Sequence, residues 1–280
     1  MNSQSRKLKT IISGIPASDG DGVKLTRIIG SPELNMLDPF LLFDVFESDQ
    51  AKDYIGGFPS HPHRGFETVT YLTAGRLRHK DNAGHEGVIE AGGVQWMTAG
   101  KGIVHSEMPE QENGLLSGYQ LWLNLPAAEK MRVPAYQEFS TTDISHEYLS
   151  NGGEVRVIAG NTNNGIQGPV VNDYVSPVYM DITLPEGQTF EQAVNKEDNT
   201  FIYVIHGALS IGETKSKLGN HQLGIVQDGE GVFVVANDES RFLLVSARPL
   251  NEPVARGGPF VMNTKAEILQ AFEDFQNNRF

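Results

Sequence analysis

FPSHPHRGFETVTYLTAG, residues 58–75, sets His61 and His63 two apart, immediately before a run of apolar and β-branched residues. In a strand, residues i and i+2 project from one face with their Cα atoms about 6.6 Å apart, so the two imidazoles can converge on one point. Pro62 faces the other way, and its missing N–H is tolerable near a strand end or on an edge. A second pair of the same kind stands in GIVHSEMP, residues 102–109, where His105 and Glu107 would share a face. Between the pairs lie an extended run, a turn at DNAG (81–84) and a further extended run, enough chain for a strand to leave, turn and return. On neighbouring strands the pairs would assemble a pocket of three neutral imidazoles and one carboxylate. That donor set suits a divalent first-row metal and leaves positions open to water, dioxygen or substrate, whereas a structural site would be closed.

Working outward, short β-rich runs separated by turn residues dominate: VIEAGGVQWMTA (88–99), GYQLWLNL (118–125), VRVIAG (155–160), VYMDITL (178–184), FIYVIHGALSI (201–211), GVFVVAN (231–237) and RFLLVSA (241–247). So many strands without intervening helices predict an all-β sandwich or barrel. Near the start, KLKTIISGI and VKLTRIIG flank PASDGDG (16–22), which reads as a hairpin. Helical periodicity is strong only in NTKAEILQAFEDFQNN (263–278), where Thr264 and Glu267 can form a capping box and Ile268, Leu269, Phe272 and Phe275 fall on one face. A shorter helix is predicted at PAAEKMR (126–132), with Pro126 suited to its first position.

TYLTAGRLRH (70–79) laid over IYVIHGALSI (202–211) matches Tyr71 with Tyr203, Gly75 with Gly207 and Leu77 with Leu209, so the chain reads as one β fold used twice. Weak patterning around 126–150 places the boundary there, giving domains 1–135 and 136–280. Extending the echo sets His61 and His63 against Ala193 and Asn195. A second alignment, Gly93 on Gly231, sets His105 and Glu107 against Leu243 and Val245, so the second domain is expected to be metal-free.

These residues resemble the cupin superfamily. Gly56, His61, His63, Glu67 and Gly75 follow its first motif, and Gly102 with His105 its second. More specifically, HPHRGFETVTYL, QWMTAGKGIVHSEMP, LDPFLLFD (37–44), YQLWLNLP and GPFVMNT (258–264) are similar to pirin, a bicupin family, across nearly the whole chain. Gly100 stands where the general second motif has proline, and the gap from Glu67 to Gly75 is one residue longer than usual; both departures fit the pirin branch. The resemblance implies two cupin-type β-sandwich or barrel domains with a short C-terminal helix. It also implies a mononuclear Fe(II) centre on His61, His63, His105 and Glu107, although other divalent first-row metals suit such ligands. The general cupin rule would instead recruit Glu67, which the pirin pattern leaves as a supporting carboxylate, paired with Arg64.

Two activities follow from the resemblance. One is quercetin (flavonol) 2,3-dioxygenase chemistry, in which the heterocyclic ring is cleaved with dioxygen and carbon monoxide is released, Glu107 accepting the proton of the substrate hydroxyl. The other is a non-enzymatic, redox-sensing metal protein that regulates a transcription factor or a metabolic enzyme by contact.

Composition narrows the field further. With 280 residues, 39% of them hydrophobic, the chain can bury two ordinary cores. A net charge of −13 opposes direct binding to nucleic acid. No cysteine is present, which excludes disulfides, zinc ribbons and thiol chemistry. No signal peptide or membrane-spanning run is read, so a cytoplasmic monomer is expected, with a flavonol-like small molecule or a protein as partner. His79 and His85, beside the DNAG turn, are read as solvent-facing or locally bonded; His146, His206 and His221 as structural. Trp96, Met97, Phe66 and Phe58 lie near the motifs as candidate pocket walls or plain core.

Overall fold

A computed structural model describes residues 5–280. The contacts divide them into two compact units: one gathers the described residues up to Gly14 with Thr142–Pro249, the other Ile15–Thr141 with Leu250–Phe280. Each unit is built from one seven-stranded and one four-stranded sheet, the second unit adding a two-stranded ribbon of Ala255–Gly257 and Phe260–Met262, and all pairing within these sheets is antiparallel. The repeat legible in the sequence is therefore an architectural one, a cupin-type fold used twice.

In the unit holding His61, the four-stranded sheet runs in the order Phe58–His63, Ile103–Pro109, Arg76–Asp81, Glu86–Glu90. The strand Arg76–Asp81 alternates strictly: Leu77, His79 and Asp81 are buried and Arg76, Arg78 and Lys80 exposed. This is the period-two pattern of a sheet with one face on the interior. The opposing sheet centres on Phe66–Ala74, Leu116–Asn124 and Phe40–Ser48, and its side chains Phe40, Phe43, Phe66, Val69 and Leu121 are almost fully excluded from water. In the other unit the matching strands Thr189–Ala193, Gly231–Ala236, Leu209–Ile211 and Ser216–Leu218 close over an aliphatic core that includes Val157, Ile182, Leu209 and Val234.

Several expectations need correction. The units are not contiguous in sequence, so the division at 135/136 differs from the one the contacts draw. Lys7–Ile12 pairs with Leu223–Gln227, Ala135–Phe139 with Val94–Thr98, and the C-terminal helix packs on Phe260 and Met262 of the His61 unit. The N-terminal hairpin is real but tighter: Ile15–Asp19 pairs with Val23–Ile29, leaving Gly20–Gly22 as the turn. Gly14, at φ +74°, separates it from Lys7–Ile12. The segment after Pro126 is only a 3₁₀ turn, Ala127–Glu129. The counterpart of Ile103–Pro109 is Gly231–Ala236, the strand that pairs with Thr189–Ala193 and Leu209–Ile211, whereas Leu243 and Val245 belong to the seven-stranded sheet. GVFVVA offers no side-chain donor to a metal.

The helix Lys265–Gln276 starts at the capping box expected, with Thr264 Oγ1 accepting from Glu267 N at 3.2 Å and Glu267 Oε2 accepting from Thr264 N at 2.7 Å. Its packed stripe is Ile268, Ala271, Phe272 and Phe275. Leu269 is 70% exposed, because the spacing i, i+3, i+4, i+7 starting at Ile268 passes it by.

Candidate metal centre

Register brings the two sequence pairs together. In the antiparallel pairing of Phe58–His63 with Ile103–Pro109, His105 lies directly opposite His61, and Glu107 opposite Phe58. An extra residue on the first strand shifts the ladder between those two contacts, a bulge of the kind that re-aims side chains at functional sites. The ring centroids are 4.7 Å apart for His61 and His63, 4.5 Å for His61 and His105, and 5.1 Å for His63 and His105. One nitrogen from each ring lies within 4.8 Å of the others, a close group of potential ligands.

The protonation of the rings favours ligation. His61 Nδ1 lies 2.8 Å from the Pro59 carbonyl oxygen, which can only accept, so the neutral ring takes the tautomer with its proton on Nδ1 and its lone pair on Nε2. Burial, reinforced by His61 and opposed by the Pro259 backbone, holds His63 well below the usual imidazole pKa. Burial likewise depresses His105, with His63, His61 and His79 adding to the effect. Both ring nitrogens of His105 and Nδ1 of His63 are buried without a hydrogen-bond partner among the described residues. Buried unpaired polar atoms are costly unless something meets them. Neutral nitrogen donors facing one point meet that condition with a divalent cation, so the residues fit the group that the fold implies.

The Glu107 carboxylate stands outside the close histidine group. It is 4% exposed, lines the same cavity as His61 and His63, and accepts from Thr70 Oγ1 at 2.9 Å; Thr70 Oγ1 is also 2.7 Å from Gln120 Oε1. Glu67 is on the other face of its strand: Phe66 touches His63 and Thr70 touches Glu107, so the odd-numbered Glu67 points away from the centre and accepts instead from Thr98 Oγ1 at 2.7 Å. The suggested Arg64–Glu67 pair is replaced by an Arg64–Asp274 ion pair at 2.8 Å, with the Arg64 guanidinium 4.3 Å from the Phe280 ring centroid.

A cavity of about 690 Å³ opens on the centre, within the range of small-molecule sites. Phe58, Trp122, Leu42 and Pro259 give it apolar walls, and Arg27, Asp44 and Arg256 a charged end. Arg27 grips Asp44 through Nε and Nη2, at 2.9 and 2.7 Å. Arg256 lies over the Trp122 ring at 5.2 Å and donates to the Leu41 carbonyl, and among the described residues no carboxylate is in salt-bridge contact with it. Trp96 and Met97, by contrast, are core at 1% and 0% exposure.

Sequence reasoning missed Trp122, which meets His63 edge-on at 5.1 Å, as well as Thr70, Gln120 and Arg256. Counting by twos along the Phe66–Ala74 strand from Phe66 could have found Thr70; nothing local marks Arg256, which arrives from the far end of the chain. His79 is also corrected: it is 1% exposed, carried inward by the alternation of its strand. Among the described residues no helix is long and apolar enough to cross a membrane.

Comparison with known proteins agrees with this architecture. The family described as Pirin matches residues 22–123, and the Pirin C-terminal cupin domain matches residues 179–280. A pirin-like protein of Caulobacter vibrioides is 51% identical over 276 residues, covering 98% of this chain and 99% of the relative. Human pirin is 42% identical over 278 residues, covering 98% and 93%. A crystal structure of quercetin 2,3-dioxygenase from Acinetobacter baumannii superposes with a TM-score of 0.89 at 34% identity, covering 99% of this chain and 98% of that one.

Proposed function

The chain belongs to the pirin family, and on that premise we propose that it is an Fe(II)-dependent flavonol dioxygenase of the quercetin 2,3-dioxygenase type. His61, His63 and His105 supply nitrogen ligands, and Glu107 is the fourth ligand and the proton acceptor. The observation that carries the reading is the group of three imidazoles, His63 and His105 buried and His61 half-buried, of which His61 and His63 line an aromatic-walled cavity together with Glu107. It is supported by the likeness to the Acinetobacter enzyme over the full chain.

Iron with open coordination positions would supply the one-electron chemistry that lets dioxygen react with a closed-shell aromatic substrate. The protein's own part is placement and proton handling. Phe58 and Trp122 flank the cavity and offer flat apolar surface to a planar polyphenol, excluding water from the reacting face. The guanidinium of Arg256 offers N–H donors to oxygens at the other end of the ligand. Glu107, on the face that His105 shares, takes the proton of the ring hydroxyl, and Thr70 holds its carboxylate in position for that transfer.

The test is direct. Protein stripped of metal and reloaded anaerobically with Fe(II) should, on admission of air, consume oxygen and bleach the quercetin absorbance, with carbon monoxide released. Protein shown by metal analysis to carry iron at the centre, yet inert toward several flavonols, would overturn the catalytic reading and leave the redox-sensing one.

A further inference from the structure

A second cluster of metal-ligating side chains lies one strand beyond the centre already described. His79, from the strand Arg76–Asp81, faces Glu107 in register but sends its ring to the side of the sheet occupied by Ala135–Phe139. There His79 Nε2 is 2.6 Å and His85 Nε2 3.4 Å from a single oxygen, Glu138 Oε1, and one donor atom from each residue lies within 4.8 Å of the other two.

The arrangement differs from an ordinary histidine–carboxylate hydrogen bond. At 2.6 Å the His79–Glu138 contact is short, yet His79 Nε2, fully buried, makes no hydrogen bond, so the oxygen lies beside the nitrogen's bonding axis and not along it. That is the relation expected of two donors to a shared third atom. Donors about 2.1 Å from one ion stand about 3.0 Å apart at a right angle and about 3.4 Å apart at the tetrahedral angle. The observed separations of 2.6 and 3.4 Å need adjustment by only a few tenths of an ångström.

Neighbours hold the set open and oriented. Gln95 Nε2 donates to Glu138 Oε1 at 2.6 Å, the kind of outer partner that fixes a ligating carboxylate. Tyr136 stacks on His85 with centroids 4.3 Å apart, which fixes that ring. Gly87 keeps the space clear: a Cβ there would stand 2.5 Å from His79 Nε2 and 3.2 Å from Glu138 Oε2. The side chains of His85 and Glu138 are 43% and 34% exposed, which gives an ion access from solvent and leaves water to complete its shell.

We propose that His79, His85 and Glu138 form a second divalent metal site, separate from the three-histidine centre, for a first-row transition ion such as zinc, cobalt or nickel.

The test counts ions in the full-length protein. Metal-stripped wild type dialysed against micromolar free Zn²⁺ should bind two equivalents. The pair His85→Ala with Glu138→Gln should bind one, and the pair His61→Ala with His63→Ala should also bind one. Wild type saturating at one equivalent, or a second equivalent that survives in the His85→Ala, Glu138→Gln protein, would overturn the proposal. A readout free of changes at the second site comes from Co²⁺ added to the His61→Ala, His63→Ala protein. Paramagnetic shifts on the ring protons of His79 and His85 are expected, and their absence at saturating Co²⁺ counts against the site.

Discussion

His61 and His105 face each other across two antiparallel strands with ring centroids 4.5 Å apart, although 44 residues separate them in sequence. Backbone register, not side-chain reach, makes the centre, and the metal-free protein therefore keeps buried, unpartnered ring nitrogens in place. Leaving such groups unpaired costs about 1–3 kcal/mol. His105→Leu, which fills similar volume without polar atoms, is expected to stabilise the metal-stripped protein by about 1 kcal/mol. It should also abolish the stabilisation that metal gives the wild type, about 2.7 kcal/mol for an ion at a hundred times its Kd. Calorimetric scans of both proteins with and without Ni²⁺ check both parts.

Glu107 is tied to Thr70 at 2.9 Å and lies off the histidine group, an arrangement suited to a carboxylate that must accept a proton. Glu107→Gln keeps the shape and removes the basicity. Steady-state oxygen uptake with quercetin should show kcat lowered about 10²-fold or more with KM changed little, since general-base catalysis contributes about 10²–10⁴. Rates expressed per bound iron separate the loss of Glu107 as proton acceptor from its loss as a ligand.

Much of this site was legible because a strand translates sequence spacing into direction without ambiguity. His61 with His63, and His105 with Glu107, needed only the period of two and a pairing between their strands. The same rule, applied to Arg76–Asp81, would have turned His79 inward; the turn beside it and the charged Arg78 and Lys80 disguised a strand whose alternate positions are buried. Glu67 shows where motif spacing alone misleads, since the start of the Phe66–Ala74 strand decides which face the carboxylate takes. Residues delivered by distant segments were beyond any local pattern. Arg256 and the helix after Thr264 join the His61 unit through contacts more than a hundred residues away in sequence, and Lys7–Ile12 leaves its neighbours to pair with Leu223–Gln227.

The terminal helix owes its start to Thr264. Its hydroxyl accepts from Glu267 N, and the Glu267 carboxylate returns to Thr264 N. Loss of such a cap costs about 1 kcal/mol. Thr264→Ala should lower stability by that amount, and Thr264→Ser should restore it. Because Asp274 of this helix pairs with Arg64, beside His63, fraying from the cap is expected to increase hydrogen exchange at Ile268 and Ala271 first, with the histidine strands unaffected. Exchange mass spectrometry resolves the two regions.

Lys130 gives the fold a pH dependence of its own. It is 1% exposed, and Nζ donates to Gly65 O at 2.7 Å, Asn124 Oδ1 at 2.5 Å and Val261 O at 3.0 Å, none of them a carboxylate. Burial lowers its pKa to about 8, against the opposing pull of Glu252 and Glu267. An unfolded chain protonates this amine below about 10.4, whereas the folded one does so only below about 8. Between those values the unfolded state holds the extra proton, so the lysine's contribution to stability is full above the unfolded pKa and is lost as pH falls toward the folded one. The shift corresponds to about 3 kcal/mol across that window. Lys130→Met removes the titration along with the donor to three carbonyl oxygens, so the stability advantage of wild type over variant should widen steadily from pH 8 to pH 10 in denaturant unfolding. Parallel curves for the two proteins, or an Nζ titration midpoint near 10 by carbon-13 NMR of the labelled lysine, would show that the amine is solvated in a way the buried three-carbonyl cradle does not permit.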